Sequence, residues 1–300
     1  MKYEVTIGIP VYKVVEYIGK ALDSVLTQTF GSIEILIVDD GGCDGSMDVI
    51  RDYQENHPHG SAIRILKQPR NMGVSAARNR IIDEAAGRYL FFMDADDLIS
   101  PDCIEKLYGK MTATGADIVY GSYDKMGIDG SLVERFQYPD VTIDGEDKFA
   151  AYAYRKLGGI QAAVWNALMS ISFLRGTGLK MIRSAFWEDF VFTFDLATFV
   201  RKAVLMSDIT YYYMCREGSL SNYQARERVS RDEVMANART INHLKATSPR
   251  LKGKPYYRQR MACIMKMDLY ILRDIFRRWK RITPRITLRD MWYIISPTSA

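Results

Sequence analysis

The sequence predicts an α/β protein: a mainly parallel, mixed sheet flanked by helices, followed by a helical C-terminal region. Three observations carry this prediction. Short apolar runs alternate with segments of helical periodicity from Val5 to Tyr120, as in parallel sheets with helices on both faces. Two of these runs end abruptly in acidic residues. After Ser219 the pattern is mainly helical.

The first strand is predicted over residues 5–11, an apolar run that ends at Pro10-Val11-Tyr12. The next segment places Ile18, Leu22 and Val25 on one face of a helix. No Gly-x-Gly-x-x-Gly follows the strand, which argues against a dinucleotide-binding protein.

Acidic residues follow the second and fourth predicted strands. Residues 33–38 end in Asp39-Asp40 and a glycine-rich turn, and residues 90–93 end in Asp94-Ala95-Asp96-Asp97. Ligands of open parallel sheets bind beyond the carboxyl ends of the strands. On an extended segment Asp94 and Asp96 project to the same side and can hold a divalent cation together with phosphate oxygens. The alternative is a set of solvated acids, with Asp97 and Ser100 capping a helix that starts near Pro101. Taken alone, the motif leaves both interpretations open.

Two other elements are predicted before the second acidic run. A short third strand covers residues 62–66, and a helix opens over residues 71–79, with Ser75 as its predicted cap.

The middle of the chain is less regular. Asp129-Gly130 predicts a hairpin turn, and residues 147–156 predict a helix. Glu188-Asp189 lies among aromatic residues, where partial burial would raise the pKa of a carboxylate and make it a better base. The same acid pair also suits the start of a helix, where negative charge is favourable.

The bulk composition is that of an ordinary globular protein, with 48% hydrophobic residues and a net charge of +5. Four widely spaced cysteines indicate thiols of a reducing compartment rather than a disulfide framework. No signal peptide is evident, and no uncharged apolar run approaches the ~20 residues that span a bilayer. We therefore expect a cytoplasmic protein, soluble or peripheral on the inner face of the membrane.

The C-terminal region is strongly basic from Arg250 to Arg289. Apolar residues recur at helical spacing over residues 270–282, which predicts an amphipathic helix with a cationic face. Such a helix, here residues 270–285, can bind an anionic membrane surface, or its apolar face can pack on the rest of the protein. Both interpretations stay open. No nucleic-acid partner is expected, because no reader motif accompanies the charge.

Five motifs, in this order, resemble family 2 glycosyltransferases, which are inverting enzymes with the Rossmann-like GT-A fold. They are Pro10-Val11-Tyr12, Val38-Asp39-Asp40-Gly41 through Asp44-Gly45-Ser46, Asn71-x-Gly73 through Arg78-Asn79, Asp94-x-Asp96-Asp97 and Glu188-Asp189. The resemblance covers about residues 3–220. It departs from the family pattern at Gly42-Cys43, where a Ser-Thr type pair is common, and at Lys13, where Asn is usual.

The resemblance implies a nucleotide-sugar donor, with UDP as the expected nucleotide, and a saccharide or lipid-linked saccharide acceptor, as in bacterial polysaccharide or glycolipid synthesis at the cell envelope. It implies that Asp39 holds the uracil ring, that Asp96, with Asp94, ligates Mn²⁺ or Mg²⁺, and that Asp189 is the general base. The remaining substrate-binding candidates are Pro10, Val11, Tyr12, Asp40, Arg78, Asp94, Ala95, Trp165, Glu188, Arg216 and Ser219.

Several of these residues also have ordinary structural explanations. Asp39 can hydrogen-bond its own turn, Arg78 can form a surface salt bridge, and Trp165 can simply pack. Arg216, whose guanidinium suits phosphate oxygens, can equally be a solvated loop cation.

The expected domains are a catalytic domain over residues 1–220 and a helical basic region over residues 221–300. The catalytic domain would comprise a nucleotide-sugar-binding half, residues 1–123, and an acceptor-side half, residues 124–220. Two alternative functions are a non-catalytic sugar-nucleotide- or membrane-binding scaffold and a phosphohydrolase of the haloacid dehalogenase type. The latter also uses Asp-x-Asp after a strand, but usually with Thr or Val close behind, where this chain has Asp97-Leu98.

Overall fold

The computed structural model describes residues 2–158, 163–184, 187–216 and 229–296. The chain divides into two compact units. The sheet unit contains residues 1–145, 164–180 and 200–216. The helical unit contains residues 146–163, 181–199 and 217–300.

The sheet unit is built on ten strands. They are β1 (Tyr3–Val11), β2 (Ile33–Asp39), β3 (Ile63–Lys67), β4 (Gly87–Phe92), β5 (Leu98–Ile99), β6 (Ile118–Gly127), β7 (Leu132–Phe136), β8 (Val141–Asp144), β9 (Ala167–Ser170) and β10 (Lys202–Cys215). Their order is β3-β2-β1-β4-β9-β6-β10-β5, with β7 on β6 and β8 on β10. The first four strands of this order pair in parallel, and β9 is antiparallel to both of its neighbours. The predicted mainly parallel, mixed sheet is confirmed.

Apolar residues on both faces explain why β1 lies inside the sheet. Ile7 is buried and aligns with Ile35 of β2 and Phe91 of β4. Gly8 lets a helix approach closely, because a Cβ atom there would lie 2.3 Å from the Ile81 side chain. This close packing explains a glycine in the middle of a strand.

Helices of the sheet unit are α1 (Ile18–Leu26), α2 (Ser46–Asn56), α3 (Val74–Glu84), α4 (Cys103–Thr114) and α6 (Ile171–Thr177). The helical unit contains α5 (Lys148–Lys156), α7 (Glu188–Leu196), α8 (Arg231–Thr247), α9 (Tyr257–Arg277) and α10 (Leu288–Ile295), with the short strands β11 (Val229–Ser230) and β12 (Ile282–Thr283). Within the described residues no helix is long and apolar enough to span a membrane.

Two local expectations were wrong. Ser75 does not cap α3, because the helix begins at Val74 after Gly73, whose φ of +88° favours glycine. The helix expected over residues 270–282 ends at Arg277, and a 3₁₀ turn, Trp279–Arg281, leads into β12. The helical spacing therefore continued past the true end of α9.

Strong caps fix the starts of α8 and α10. Ser230 and Glu233 form a capping box at α8, and Thr287 and Asp290 form one at α10. Each box satisfies backbone N–H groups that the first helical turn leaves without partners.

Candidate active site

The sheet brings the sequence motifs that follow β1, β2 and β4 together at the carboxyl ends of these strands. Val11 of β1 aligns with Asp39 at the end of β2, and Gly8 aligns with Phe92 at the end of β4. Because these strands are parallel, the residues after each carboxyl end emerge on the same side of the sheet. The predicted base-binding residues begin here: Val11 is buried, Pro10 is half-buried and Tyr12 is 43% exposed.

Asp39 and Asp40 are adjacent but have different partners. The Oδ1 atom of Asp39 accepts the Gly41 N–H at 2.8 Å, the turn-stabilising contact that the sequence also allowed. Asp40 accepts the backbone N–H groups of Met72 (2.7 Å, at Oδ1) and Gly73 (2.9 Å, at Oδ2), and Gln68 donates to Oδ1 at 3.1 Å. Asp40 therefore holds the segment that leads into α3. Its role in substrate binding, like that of Asp39, stays a prediction.

Arg78 lies in the first half of α3 and pairs with Asp94. The Nη2 atom of Arg78 lies 2.7 Å from Oδ1 of Asp94, and the arginine side chain is buried. The pair is thus not the surface salt bridge that the sequence offered as an alternative. Ala95, next along the chain, is also buried. A buried guanidinium beside a half-exposed carboxylate forms a polar site at the end of β4.

Asp96 pairs with Arg216, which follows β10. Their Nε–Oδ2 distance is 2.5 Å, and the Arg216 guanidinium lies 4.8 Å from the centre of the Tyr17 ring. Burial and the neighbouring Asp94 raise the pKa of Asp96, while Arg216 acts in the opposite direction. Arg216 was predicted to meet the donor diphosphate. Here its side chain lies against the predicted metal ligand.

Asp97 does not cap the following helix, which was the alternative interpretation of this acid. Its two oxygens accept the Tyr211 hydroxyl at 2.7 Å and the Met214 N–H at 2.8 Å. The Tyr211 hydroxyl also accepts the Asp94 N–H at 3.2 Å. Burial, Asp94 and Asp96 raise the pKa of Asp97 well above its usual range. These contacts fasten the acidic loop to β10.

Tyr211 was not among the predicted site residues. The tyrosine-rich run in β10 was the sequence signal that could have pointed to it. Which of these tyrosines meets Asp97 depends on how β10 pairs with strands far away in the sequence. The same tyrosine stacks on Trp165, with ring centres 4.5 Å apart and planes 11° apart. Tyr213 stacks on the indole as well, and Tyr123 meets it edge-on. Trp165 is therefore a packed side chain, and its stacking on an acceptor sugar stays a prediction.

Glu188 and Asp189 occupy the first turn of α7, in the helical unit. Glu188 is buried and Asp189 is half-buried. The preceding residue, Trp187, has a left-handed backbone conformation with φ of +61°. Phe190 and Phe192 of the predicted aromatic cluster are buried, and Phe186 lies outside the described residues. The helix start, which was the alternative to a catalytic role, is also present. The role of Asp189 as a base stays a prediction.

Ser219 lies outside the described residues. The other predicted residues of the sheet unit all lie near the carboxyl ends of its strands or in the helices and loops that follow, with Arg78 on Asp94 and Arg216 on Asp96.

The carboxylates after β4 fit a divalent cation. Asp94 and Asp96 offer hard oxygen ligands, and a cation would relieve the repulsion that raises the pKa of Asp96. Across the described part of the chain, no cluster of three or more His, Cys, Asp or Glu residues is arranged to hold a metal. One or two carboxylates with phosphate oxygens are a normal set for Mg²⁺. The site thus suits a cation that arrives with a diphosphate.

A family model described as glycosyl transferase family 2 matches residues 6–195. The chain belongs to this family. The match includes the acidic ends of β2 and β4 and the start of α7, and it ends before Arg216. The family resemblance seen in the sequence is confirmed.

Relatives of this family member include bacterial glycosyltransferases. Glycosyltransferase GlyG of Streptococcus pneumoniae is 28% identical over 252 residues, which are 79% of each chain. The cholesterol galactosyltransferase of Borreliella burgdorferi is 25% identical over 74% of this chain and 63% of its own length. Glycosyltransferase GlyA of S. pneumoniae is 41% identical over 40% of this chain, and this chain spans only 17% of GlyA.

Solved structures confirm the GT-A fold. TarS residues 1–349 of S. aureus superpose with a TM-score of 0.70 at 17% identity, covering 98% of this chain and 77% of TarS. The mannosyltransferase PcManGT of Pyrobaculum calidifontis has a TM-score of 0.59 at 15% identity, covering 92% and 76%. At these identities the likeness concerns the fold alone.

Proposed function

We propose that the protein is an inverting glycosyltransferase that moves a sugar from a UDP-sugar to a hydroxyl of a saccharide or lipid-linked acceptor. The observation that carries this proposal is the polar group at the ends of β2 and β4. Asp39, Asp94 and Asp96 lie there, with Arg78 and Arg216 on the latter two carboxylates. The family match spans all three acids.

The donor would bind at this strand-end group. The Asp39 carboxylate would accept a hydrogen bond from the N3–H of uracil, with Pro10, Val11 and Tyr12 beside the ring. Support for UDP comes from TarS, which was solved with UDP-GlcNAc and with UDP. PcManGT was solved with GDP-Man, so the base itself requires a test.

A divalent cation would be held by Asp96, with Asp94. When bound, it would neutralise the negative charge that develops on the leaving diphosphate. Support for Mn²⁺ comes from the PcManGT complex, which contains it. Arg78 and Arg216 would bind diphosphate oxygens, since a guanidinium donates two parallel hydrogen bonds to such groups.

Asp189 would be the general base. The acceptor oxygen attacks the anomeric carbon from the face opposite the leaving group, and the bond from that carbon to the diphosphate oxygen breaks. The acceptor proton passes to the Asp189 carboxylate, and the diphosphate leaves with the electron pair. Support for this role comes from the position of Asp189 in the first turn of α7, where the side chain stays half-buried.

A thermal-shift panel of nucleotide-sugars with Mn²⁺ or Mg²⁺ tests the donor class. A bound donor stabilises the folded protein by mass action, so the matching UDP-sugar is expected to raise the Tm. Asp39→Asn and Asp96→Ala should each reduce that rise. If GDP-sugars stabilise the protein and UDP-sugars do not, the assignment of uracil to Asp39 is wrong.

Asp189→Asn tests the base. Loss of general-base catalysis is expected to lower turnover by ~10²–10⁴-fold while the donor-dependent Tm shift is retained. Asp232→Asn is the matched control, because Asp232 is an exposed acid in the first turn of α8. Near-normal turnover in the purified Asp189→Asn protein would show that Asp189 is not the general base.

A further inference from the structure

Within the part of the chain that the structure describes, the C-terminal helices carry more positive charge than their acidic neighbours balance. Residues 250–296 contain thirteen Lys or Arg residues and three acids. Each of the acids already has a cationic partner: Asp268 pairs with Lys245 at 2.7 Å, Asp274 with Arg278 at 2.8 Å and Asp290 with Arg231 at 2.6 Å. Arg250 and Arg260 pair with Asp195, and Lys254 pairs with Glu146 and Asp147. Most of the other cations have no acidic partner among the described residues, so they can face an external partner.

Helix α9 has apolar residues on a buried inner face and also on an exposed outer face. Its inner face buries Cys263, Ile264, Ile271 and Ile275. This resolves one alternative, because part of the apolar pattern does pack on the protein.

The outer face of α9 carries a second apolar row. Met265, Leu269 and Phe276 are more than 60% exposed, and half-buried Leu272 completes spacings of four, three and four residues. Such spacing places them on one side of a helix. Trp279, just beyond α9, stacks its exposed ring on Phe276 with centres 6.4 Å apart.

Exposed cations lie within one or two positions of this row. They are Lys266, Arg273, Arg277, Lys280 and Arg281. Lys266, Arg273 and Arg277 lie beside the apolar row on α9, and Lys280 and Arg281 follow Trp279 in the 3₁₀ turn. Large apolar groups and positive charges therefore lie close together.

Helix α10 also presents an exposed apolar row. Leu288, Trp292 and Ile295 follow one another at spacings of four and three residues and are 84%, 68% and 48% exposed. The helix is held firmly, because Asp290 pairs with Arg231 and the Lys245 ammonium donates to the Ile294 carbonyl. The exposed apolar side chains thus belong to an anchored helix.

We infer that the outer faces of α9 and α10 bind an anionic lipid surface. Large apolar side chains enter the boundary between headgroups and acyl chains, while Lys and Arg attract anionic headgroups. A second copy of this chain would bring two cationic surfaces together, which is unfavourable. The inference concerns a partner of the helical unit and is independent of the proposed sugar transfer.

Vesicle flotation of the full chain tests this inference. The vesicles are phosphatidylcholine alone or phosphatidylcholine and phosphatidylglycerol in equal parts. We expect the protein to float with the mixed vesicles at low salt and to be largely released at about 0.5 M salt, where charges are screened. No flotation with the mixed vesicles at low salt would overturn the inference, and so would equal binding to both lipids.

Two variants separate the apolar from the electrostatic contribution. Leu269→Gln/Phe276→Gln/Trp292→Gln removes three exposed apolar groups, and Lys266→Gln/Arg273→Gln/Arg277→Gln removes three cations. Each is expected to weaken binding to mixed vesicles at least about tenfold. The matched control is Ile128→Gln/Leu132→Gln/Val133→Gln, which alters exposed apolar residues of the β6–β7 hairpin in the sheet unit and should leave binding unchanged. Unchanged binding in both α9/α10 variants overturns the inference.

Fluorescence of the unaltered protein gives a second measurement. Brominated acyl chains should quench the emission of Trp279 and Trp292 in mixed vesicles, and Trp279→Phe/Trp292→Phe should remove most of that quenching. Sedimentation velocity completes the test: a dimer that the apolar variant dissociates, without vesicle binding, would identify a second copy as the occupant and overturn the lipid inference.

Discussion

Two groups of charged residues, one around Arg260 in the helical unit and one at the strand ends of the sheet unit, differ in how far hydrogen-bond partners and opposite charges balance them. In the helical unit Arg260 is completely buried. It donates to the Ser248 hydroxyl (2.9 Å), the Tyr154 hydroxyl (2.8 Å), the Phe194 carbonyl (3.3 Å) and the Asp195 carboxylate (2.5 Å). Its guanidinium also lies 4.6 Å from the centre of the Phe194 ring.

The strand-end group of the sheet unit is arranged differently. Asp94 and Asp96 keep 28% and 18% of their side chains exposed. Partial burial and repulsion by Asp94 together raise the pKa of Asp96. A fully satisfied buried network holds structure, whereas an acidic group that still reaches solvent can take up a ligand. The comparison therefore assigns Arg260 to stability, and ligand binding by Asp96 stays a prediction.

The largest stability effect is expected from Arg260→Met. The change leaves Asp195 buried without its main partner, so the free energy of unfolding should fall by about 3–5 kcal/mol in urea denaturation. Arg258→Met is the matched control, because Arg258 lies two positions away on the exposed side of α9.

Adding Asp195→Asn to Arg260→Met should recover part of the loss, since the uncompensated charge is then removed. A loss below about 1 kcal/mol in the single variant would contradict the stabilising role of this network.

Asp40→Asn is expected to have an intermediate effect. An amide cannot accept hydrogen bonds at both positions that Asp40 uses for the Met72 and Gly73 N–H groups, so unfolding should become easier by about 1–3 kcal/mol. The same change at exposed Asp52 should cost little. Unchanged stability together with a weaker donor-dependent Tm shift would instead show that Asp40 contributes to donor binding rather than to stability.

The smallest effect is expected from Asp290→Asn, and it should depend on pH. The Arg231 side chain and the Thr287 N–H and hydroxyl lower the pKa of Asp290. A carboxyl group whose pKa is lower in the folded protein stabilises it above about pH 4, and this contribution is lost as the pH falls through the folded-state pKa. Because Arg231 is 35% exposed, the loss at neutral pH should be about 1–2 kcal/mol.

Urea denaturation at neutral pH and near pH 3.5 measures this difference, which should shrink at the lower pH. A difference that stays constant between the two would show that Asp290 acts only through the neutral hydrogen bonds of its capping box.

The sequence by itself determined the alternation of strands and helices, the acids at the ends of β2 and β4, and the family. These features are local: side-chain periodicity distinguishes strands from helices, and the end of an apolar run marks the edge of a sheet. The Asp129-Gly130 hairpin and helix α5 were likewise predicted from short patterns and are present.

Only the tertiary structure decided which acids hold the fold and which remain available. Asp97 meets the N–H of Met214, 117 positions away, and Arg260 meets the hydroxyl of Tyr154, 106 positions away. Such partners depend on strand order and helix packing, which local patterns do not encode. For the same reason the sequence showed that the region of α9 is amphipathic, but only packing showed that Ile271 and Ile275 turn inward while Leu269 and Phe276 face solvent.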